Sequence, residues 1–362
     1  MKNNQRVGIL ILDHRYGGIS ILSRKLSRLV NGRLVILSPN KSINEQKGNL
    51  KINVLKLFSK RIFCSFKDIK HIDKKISLWH INYPSPLILP LFFISKKPKI
   101  ITFHHMFSNP PLRLCEENKL NRLLNRFILT PINTVLLNAY LLLSEKFIFI
   151  THDQLDDFRK NIYFKKKFDE KSIVINHFIE KEKIIKHKSN FNNKILFVGR
   201  YTKIKGFEDL INVARELKEI NFYLVGDNHF KPDLPNLKNI GEVENSKIFK
   251  QYDKCSTLIL PSYTETWGLV ILEAMARGLV VLASDLPAIR EYFIEGRNGY
   301  LFPPGDVKRM KERILYLKNN PKEIERISKN NLKDIRKFTV EKQVPRYAKI
   351  YEEVLKKKNF KV

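Results

Sequence analysis

The chain has 362 residues, 43% of them hydrophobic, which is enough for two α/β domains with full cores and too apolar for a disordered polymer. Its formal net charge is +31, and its three cysteines, Cys64, Cys115 and Cys255, lie far apart, which excludes a disulfide framework and a zinc-ligand spacing. No stretch offers roughly 20 clean apolar residues, and the run Val7 to Leu12 is too short for a signal-peptide core, so it reads as a buried strand of a protein expected in the cytoplasm.

In chain order, Val7 to Leu12 is the first strand. A loop with Gly17-Gly18 follows, then a helix with Ile19, Leu22, Leu26, Leu29 and Val30 on one side. Strand, glycine-rich turn and helix open a Rossmann-like unit, but the full Gly-x-Gly-x-x-Gly is missing, so a dinucleotide site is not supported. Leu34 to Leu37 is a second strand, and 38–75 is basic with no readable period. Ser77 to Ile81 and Lys99 to Phe103 read as strands around a proline-bounded helix at 86–95. The second of them ends at His104-His105; His80, inside the first, fits a structural role.

From 106 to 144 the pattern changes. Lys119, Arg122 and Arg126 alternate with Leu120, Leu123, Leu124, Phe127 and Leu129, a basic amphipathic helix of the kind that lies on a membrane surface. A mainly apolar run continues to Leu143, broken by Pro131, Asn133 and Asn138, and reads as a core helix; a wholly buried helix pair is the alternative. Phe147 to Ile150 and Ser172 to Ile175 are strands, and the charged stretch 181–193 is a linker. The second half repeats strand-helix units: strand 195–198, helix 207–218, strand 221–225, helix 245–252, strand 257–260, helix 268–277 and strand 280–283. Three basic amphipathic helices, 306–318, 321–336 and 341–357, close the chain.

The charge is unevenly spread. Residues 1–100 hold 20 basic and 4 acidic side chains, 201–300 hold 12 and 14, and 301–362 hold 18 and 8. Such a field suits anionic lipid head groups or another polyanion. A compositional bias rich in Asn, Ile and Phe is the alternative source, but a bias alone would spread evenly.

The chemistry concentrates in Ser-Tyr-Thr-Glu-Thr-Trp-Gly-Leu-Val-Ile-Leu-Glu, residues 262–273. Pro261 stops the strand before it and Gly278 stops the helix after it. Glu265 then sits in the strand-to-helix turn and Glu273 on the helix, both able to face a crevice at the carboxyl end of a parallel sheet. The first helix amides, near Trp267, Gly268 and Leu269, lack intrahelical partners and favour an anion, and Thr266 just before them is a further donor-binding candidate. A second strand ends at Gly199-Arg200, followed by Lys205-Gly206, two cations suited to a diphosphate: arginine forks onto two oxygens and lysine acts as a point charge. Carboxylates for hydroxyls beside cations for phosphates suit a nucleotide sugar. Singly, each of these residues also fits an ordinary surface position.

Together they resemble the retaining glycosyltransferases of family 4. The matching residues are Gly199-Arg200, Lys205-Gly206, Gly226-Asp227, Pro261-Ser262, Glu265-Thr266-Trp267-Gly268, Glu273-Ala274-Met275-Ala276-Arg277-Gly278 and Asn298-Gly299-Tyr300-Leu301. The likeness is dense from about 194 to 306 and looser elsewhere. It implies an α/β GT-B fold, two Rossmann-like domains facing each other across a cleft. Residues 1–180 would form the acceptor-side domain and 181–193 the linker. Residues 194–338 would bind the nucleotide sugar, and the helix in 339–362 would cross back onto the N-terminal domain. It further implies that Arg200 and Lys205 stabilise the departing diphosphate, that Glu273 holds the ribose and Glu265 the donor sugar, and that the nucleobase meets backbone around Val243. Gly17 and Gly18 would face the reacting centre, and His104 falls where the family has a histidine near the donor sugar. His177 stands where the family usually has glycine after Asn176, which leaves a donor-pocket role for Asn176 in doubt. No Asp-x-Asp occurs, so neither a metal nor another cofactor is expected.

The reading is therefore a retaining, metal-independent transferase that moves a sugar from a nucleotide-sugar donor to a glycan or lipid-linked acceptor. It would sit peripherally on the inner face of an anionic membrane. Sugar phosphorylase chemistry on the same fold and a non-enzymatic polyanion binder remain open. Nucleic acid is not an expected partner, because no aromatic-and-basic sheet motif appears.

Overall fold

The computed structural model describes residues 7–12, 18–30, 33–38, 43–47, 50–56, 70–71, 73–82, 89–107, 130–185 and 192–359. The chain divides into two compact units, Met1–His177 with Glu341–Val362, and Phe178–Val340. The loop holding Gly17 and the amphipathic stretch from Lys119 to Leu129 lie outside the described residues.

The first unit is built on strands β1 (Val7–Leu12), β2 (Arg33–Ser38), β3 (Ile43–Lys47), β4 (Leu50–Lys56), β5 (Leu78–Ile81), β6 (Lys99–Thr102), β7 (Lys146–Phe149) and β8 (Ser172–Val174). They form one sheet in the order β3-β4-β2-β1-β5-β6-β7-β8, parallel throughout except that β3 runs antiparallel to β4. Helices α1 (Gly18–Leu29), α2 (Leu89–Ile94), α3 (Thr130–Leu143), α4 (His152–Arg159) and α5 (Lys165–Lys171) belong to this unit. Residues of β5 and β6 are buried along their whole length, as a parallel strand covered on both faces requires. The core is aromatic: Trp79, Phe103, Phe147, Phe149, Phe158 and Phe168 pack in one cluster. The pair β3 and β4 falls in the stretch where no period is readable, because β3 reads Ile-Asn-Glu-Gln-Lys and carries a single apolar residue.

The second unit holds β9 (Lys194–Val198), β10 (Asn221–Val225), β11 (Leu237–Gly241), β12 (Thr257–Leu260), β13 (Val280–Ser284) and β14 (Gly299–Phe302). Its sheet is all parallel, in the order β11-β10-β9-β12-β13-β14. Helices α6 (Phe207–Glu216), α7 (Phe249–Tyr252), α8 (Leu269–Ala276), α9 (Pro287–Arg290), α10 (Val307–Asn319) and α11 (Pro321–Asp334) complete it. The order reverses between β9 and β12, so the loops leaving their carboxyl ends diverge around one crevice. The expected helix at 245–252 is shorter, a single turn at Phe249–Tyr252 after a run of turns. The final helix α12 (Val340–Asn359) packs in the first unit. There Tyr351 OH lies 2.7 Å from His80 Nδ1 and Arg346 Nη2 donates to the Val174 carbonyl at 2.7 Å.

Candidate functional site

The loops after β9 and β12 are fastened to each other. Tyr263 N donates to the Ile204 carbonyl at 2.8 Å. Gly206 has φ +64°, and a Cβ there would stand 1.9 Å from the Pro261 carbonyl oxygen, so only glycine lets the loops approach this closely. The contact brings Lys205 to Glu265: Nζ lies 2.6 Å from Oε1, with the side chains 22% and 11% exposed. Ser262 Oγ donates to the same carboxylate oxygen at 2.9 Å. Arg200, at the start of the β9 loop, is exposed and has no ion-pair partner among the described residues.

Glu265 leads into α8 through Thr266, Trp267 and Gly268. Trp267 is 2% exposed and stacks on Tyr292 at 4.1 Å and 26°, with Phe338 edge-on at 5.3 Å. Tyr292 OH donates to the Trp267 carbonyl. The indole thus anchors the turn from inside, and what Trp267 offers the crevice is backbone. Gly268 caps α8 in the left-handed region, φ +74°, and accepts from Ile271 N at 2.8 Å. The amides of Gly268 and Leu269 have no backbone acceptor among the described residues, which leaves them available to an anion. A bare carboxylate beside that helix terminus would repel a diphosphate, and the Lys205 ammonium against Glu265 cancels that repulsion. Burial, then the Glu265 charge, hold the Tyr292 phenol well above its ordinary range, so it stays a neutral donor.

Glu273 lies one turn and a half along α8, half-buried, and Oε2 accepts from Tyr252 OH at 2.6 Å. Burial, then the Glu273 charge, raise the Tyr252 pKa far beyond neutral pH. Next to Tyr252, Asp253 takes a bidentate contact from the buried Arg277 at 2.7 and 2.8 Å, which fixes α7 against the end of α8. Tyr252 thus supports Glu273 directly, and the Asp253–Arg277 pair holds the turn that carries Tyr252. Arg277 belongs to the motif read from the sequence; Tyr252 carries little signal, since it lies 21 positions before its partner.

Val243 is half-buried in the loop after β11. Two asparagines shape that loop. Asn228 Oδ1 accepts from Glu242 N at 2.7 Å, and Asn239 Oδ1 accepts from Gly241 N at 3.0 Å and from Tyr201 OH at 2.8 Å. Sequence reasoning missed both; their one clue is that asparagine bonds its neighbouring backbone in loops.

In the first unit, His104 follows β6. His177 follows β8, and its ring lies parallel to that of His104, 5.4 Å away and 10° from coplanar. Both His104 ring nitrogens and His177 Nδ1 are shut off from solvent and unpartnered among the described residues. Burial, then the charges His177, His80 and His105 would carry, keep His104 neutral; burial alone lowers His177 to about 3. Nearby, Gln154 Nε2 donates to the His105 carbonyl at 2.8 Å. Asn176 Nδ2 donates to the Ile150 carbonyl at 2.8 Å, so that side chain is used in backbone support. His80 is structural, bonded to Tyr351 OH and, at 2.6 Å, to Thr102 Oγ1. Gly18 is the first residue of α1, the helix that follows β1, and the order of the first sheet reverses between β1 and β5.

Residues 178–334 match the family model of the glycosyl transferases group 1. An uncharacterized glycosyltransferase of Methanocaldococcus jannaschii is 31% identical over 205 residues, 53% of this chain and 58% of that protein. The N,N'-diacetylbacillosaminyl-diphospho-undecaprenol alpha-1,3-N-acetylgalactosaminyltransferase of Campylobacter jejuni is 28% identical over 186 residues, 49% of this chain and 50% of that one. The chain thus matches about half the length of these curated relatives. The crystal structure of HepE of Anabaena in complex with UDP-glucose superposes with a TM-score of 0.76 at 15% identity, covering 96% of this chain and 99% of that one. At that identity the likeness fixes the fold, which is the two-domain GT-B fold.

Proposed function

From the match of residues 178–334 to the glycosyl transferases group 1 model, we propose that the protein transfers a sugar from a nucleotide-sugar donor to a glycan or lipid-linked acceptor, with retention of anomeric configuration. The observation that carries this reading is the junction at the sheet reversal. The Lys205–Glu265 pair joins the loops of β9 and β12, with the exposed Arg200 on the first loop and the N-terminus of α8 at the end of the second. In this reading Arg200, Lys205 and the α8 amides stabilise the negative charge that grows on the departing diphosphate. Glu265 accepts from donor-sugar hydroxyls and Glu273 from the ribose. The loop at Val243 meets the base with its backbone. In the first unit, His104, held neutral by burial, is the side chain suited to hydrogen-bond a sugar.

Two neighbours support the substrate classes. The HepE structure holds UDP-glucose, and the Campylobacter relative's name describes an undecaprenol-linked acceptor. A lipid-linked acceptor goes with a peripheral position at an anionic membrane. Among the described residues no helix is long and apolar enough to cross one. The protein's own cations take the place of a divalent ion, so no metal takes part.

A panel of nucleotide sugars, scored for hydrolysis and for thermal stabilisation of the protein, tests the reading. One donor class should stabilise it, and Arg200→Ala should lower turnover of that donor about 10²-fold, as loss of one transition-state donor does. Absence of any stabilising nucleotide sugar, together with tight, salt-sensitive binding of polyanions, would replace this reading with the polyanion binder.

A further inference from the structure

Helix α3 reads Thr-Pro-Ile-Asn-Thr-Val-Leu-Leu-Asn-Ala-Tyr-Leu-Leu-Leu, with no charged residue in 14. One side is core: Leu137, Tyr140 and Leu141 are buried. The other side is apolar too, and exposed: Ile132 is 50%, Val135 61% and Leu142 50% accessible, at the spacing of one helical face. Three aliphatic side chains exposed on one helical face, opposite a buried one, make a candidate interaction surface.

What lies beside it indicates the occupant. Asn138, on the edge of that face, donates to the Asn161 carbonyl at 3.1 Å and accepts from Tyr163 N at 2.9 Å. At the other end, Lys171 Nζ donates to the Leu141 and Ser144 carbonyls and so caps α3. The segment from Asn161 to Lys171 is therefore tied to α3 at both ends. It presents Tyr163 and Phe164, 68% and 52% exposed, followed by Lys165, Lys166 and Lys167, all exposed and none in an ion pair among the described residues. Of the two acids that follow, Asp169 is taken by a bidentate contact from Arg159 at 2.7 and 2.8 Å.

We propose that this face, α3 together with Tyr163 to Lys167, docks the protein on an anionic lipid bilayer. Aliphatic side chains and Phe164 enter the boundary between head groups and acyl chains, Tyr163 sits at the head-group level, and the three lysines meet lipid phosphates. An acidic protein would not call for an uncharged aliphatic helix next to the lysines. A second copy would bring the same lysine run, and a self-complementary interface needs acids opposite it. The proposal deepens the lipid-linked acceptor of the reading above. Its test measures membrane binding and not sugar transfer, so the two fail separately.

The full chain is mixed with phosphatidylcholine vesicles with and without phosphatidylglycerol, and sedimented. Binding should be strong to the anionic vesicles, weak to the neutral ones, and reversed by salt. The triple change Lys165→Gln, Lys166→Gln and Lys167→Gln should weaken anionic binding about 10²-fold, given the usual contribution of each interfacial lysine. Val135→Asn with Leu142→Asn should weaken binding to both vesicle types. Phe164→Trp supplies a second readout that needs no loss of binding: its fluorescence should shift to the blue and be quenched by brominated lipid. Failure of the wild type to bind, binding that ignores all five substitutions, or an unshifted Trp at 164 in bound protein each overturns the proposal. A wild-type dimer in solution that the same changes dissociate would reassign the face to self-association.

Discussion

Removing Lys205 tests the pair at the centre of the site. Its Nζ is 2.6 Å from Glu265 Oε1, and the two side chains are 22% and 11% exposed. At an effective dielectric near 20 the bare attraction is about 6 kcal/mol, and desolvation of both ions cancels most of it, so a net coupling of about 1–2 kcal/mol is expected. Lys205→Ala leaves the Glu265 carboxylate with the Ser262 hydroxyl on Oε1 and no counter-charge, which should cost about 1–3 kcal/mol of stability in the second unit. Glu265→Ala removes the opposite member, and the double substitution closes the cycle. Urea unfolding of the four proteins measures the coupling. Turnover of the identified donor gives a second cycle. Each single change should cost about 10²-fold, and the double change little more, because the two residues act as a unit. A stability coupling below about 0.3 kcal/mol, together with rate losses that simply multiply, would refute the view that the two residues form one functional group.

Tyr252→Phe deletes the hydroxyl that donates to Glu273 at 2.6 Å while keeping the buried ring; a charge-assisted bond of this kind contributes about 1.5–3 kcal/mol. The donor KM should rise about 10-fold or more with kcat nearly unchanged, and an unchanged KM would remove Tyr252 from the support of Glu273. Transfer should persist in EDTA; loss that magnesium or manganese restores would show that the cations at 200 and 205 do not carry the diphosphate. His80 and His177, both lowered by burial to about 3, are neutral in the folded protein and take up protons on unfolding below the ordinary value near 6.5. Stability is therefore full above that value. It should fall with acid between about pH 6 and 4 by about 1.4 kcal/mol per pH unit for each histidine, and a denaturation midpoint flat across that range would contradict their neutrality.

Several parts of the architecture are legible in the residues. The strands at 195–198, 221–225 and 257–260 are apolar runs bounded by glycine and proline, and a buried parallel strand must look like that. Where burial is one-sided or short, the pattern fades. Strand β11, Leu-Lys-Asn-Ile-Gly, keeps only its ends buried; α4 buries Gln154, Asp157 and Phe158 at helical spacing, but two of them are polar, and α5 buries Phe168 alone, so neither shows an apolar period.

The same division runs through the site. Glu265, Lys205 and the α8 terminus are visible as chemistry, because a carboxylate in a strand-to-helix turn and a cation before a glycine are local patterns. By itself, then, the sequence determined which groups stand at the ends of which strands. Only the tertiary structure decided that Lys205 and Glu265, 60 positions apart, are one ion pair, that Tyr252 serves Glu273, and that His177 stacks on His104. Side-chain partners across a sheet reversal are set by strand order and by a loop approach that a single glycine at 206 permits. Strand order is a property of the whole packed unit, and no local periodicity records it.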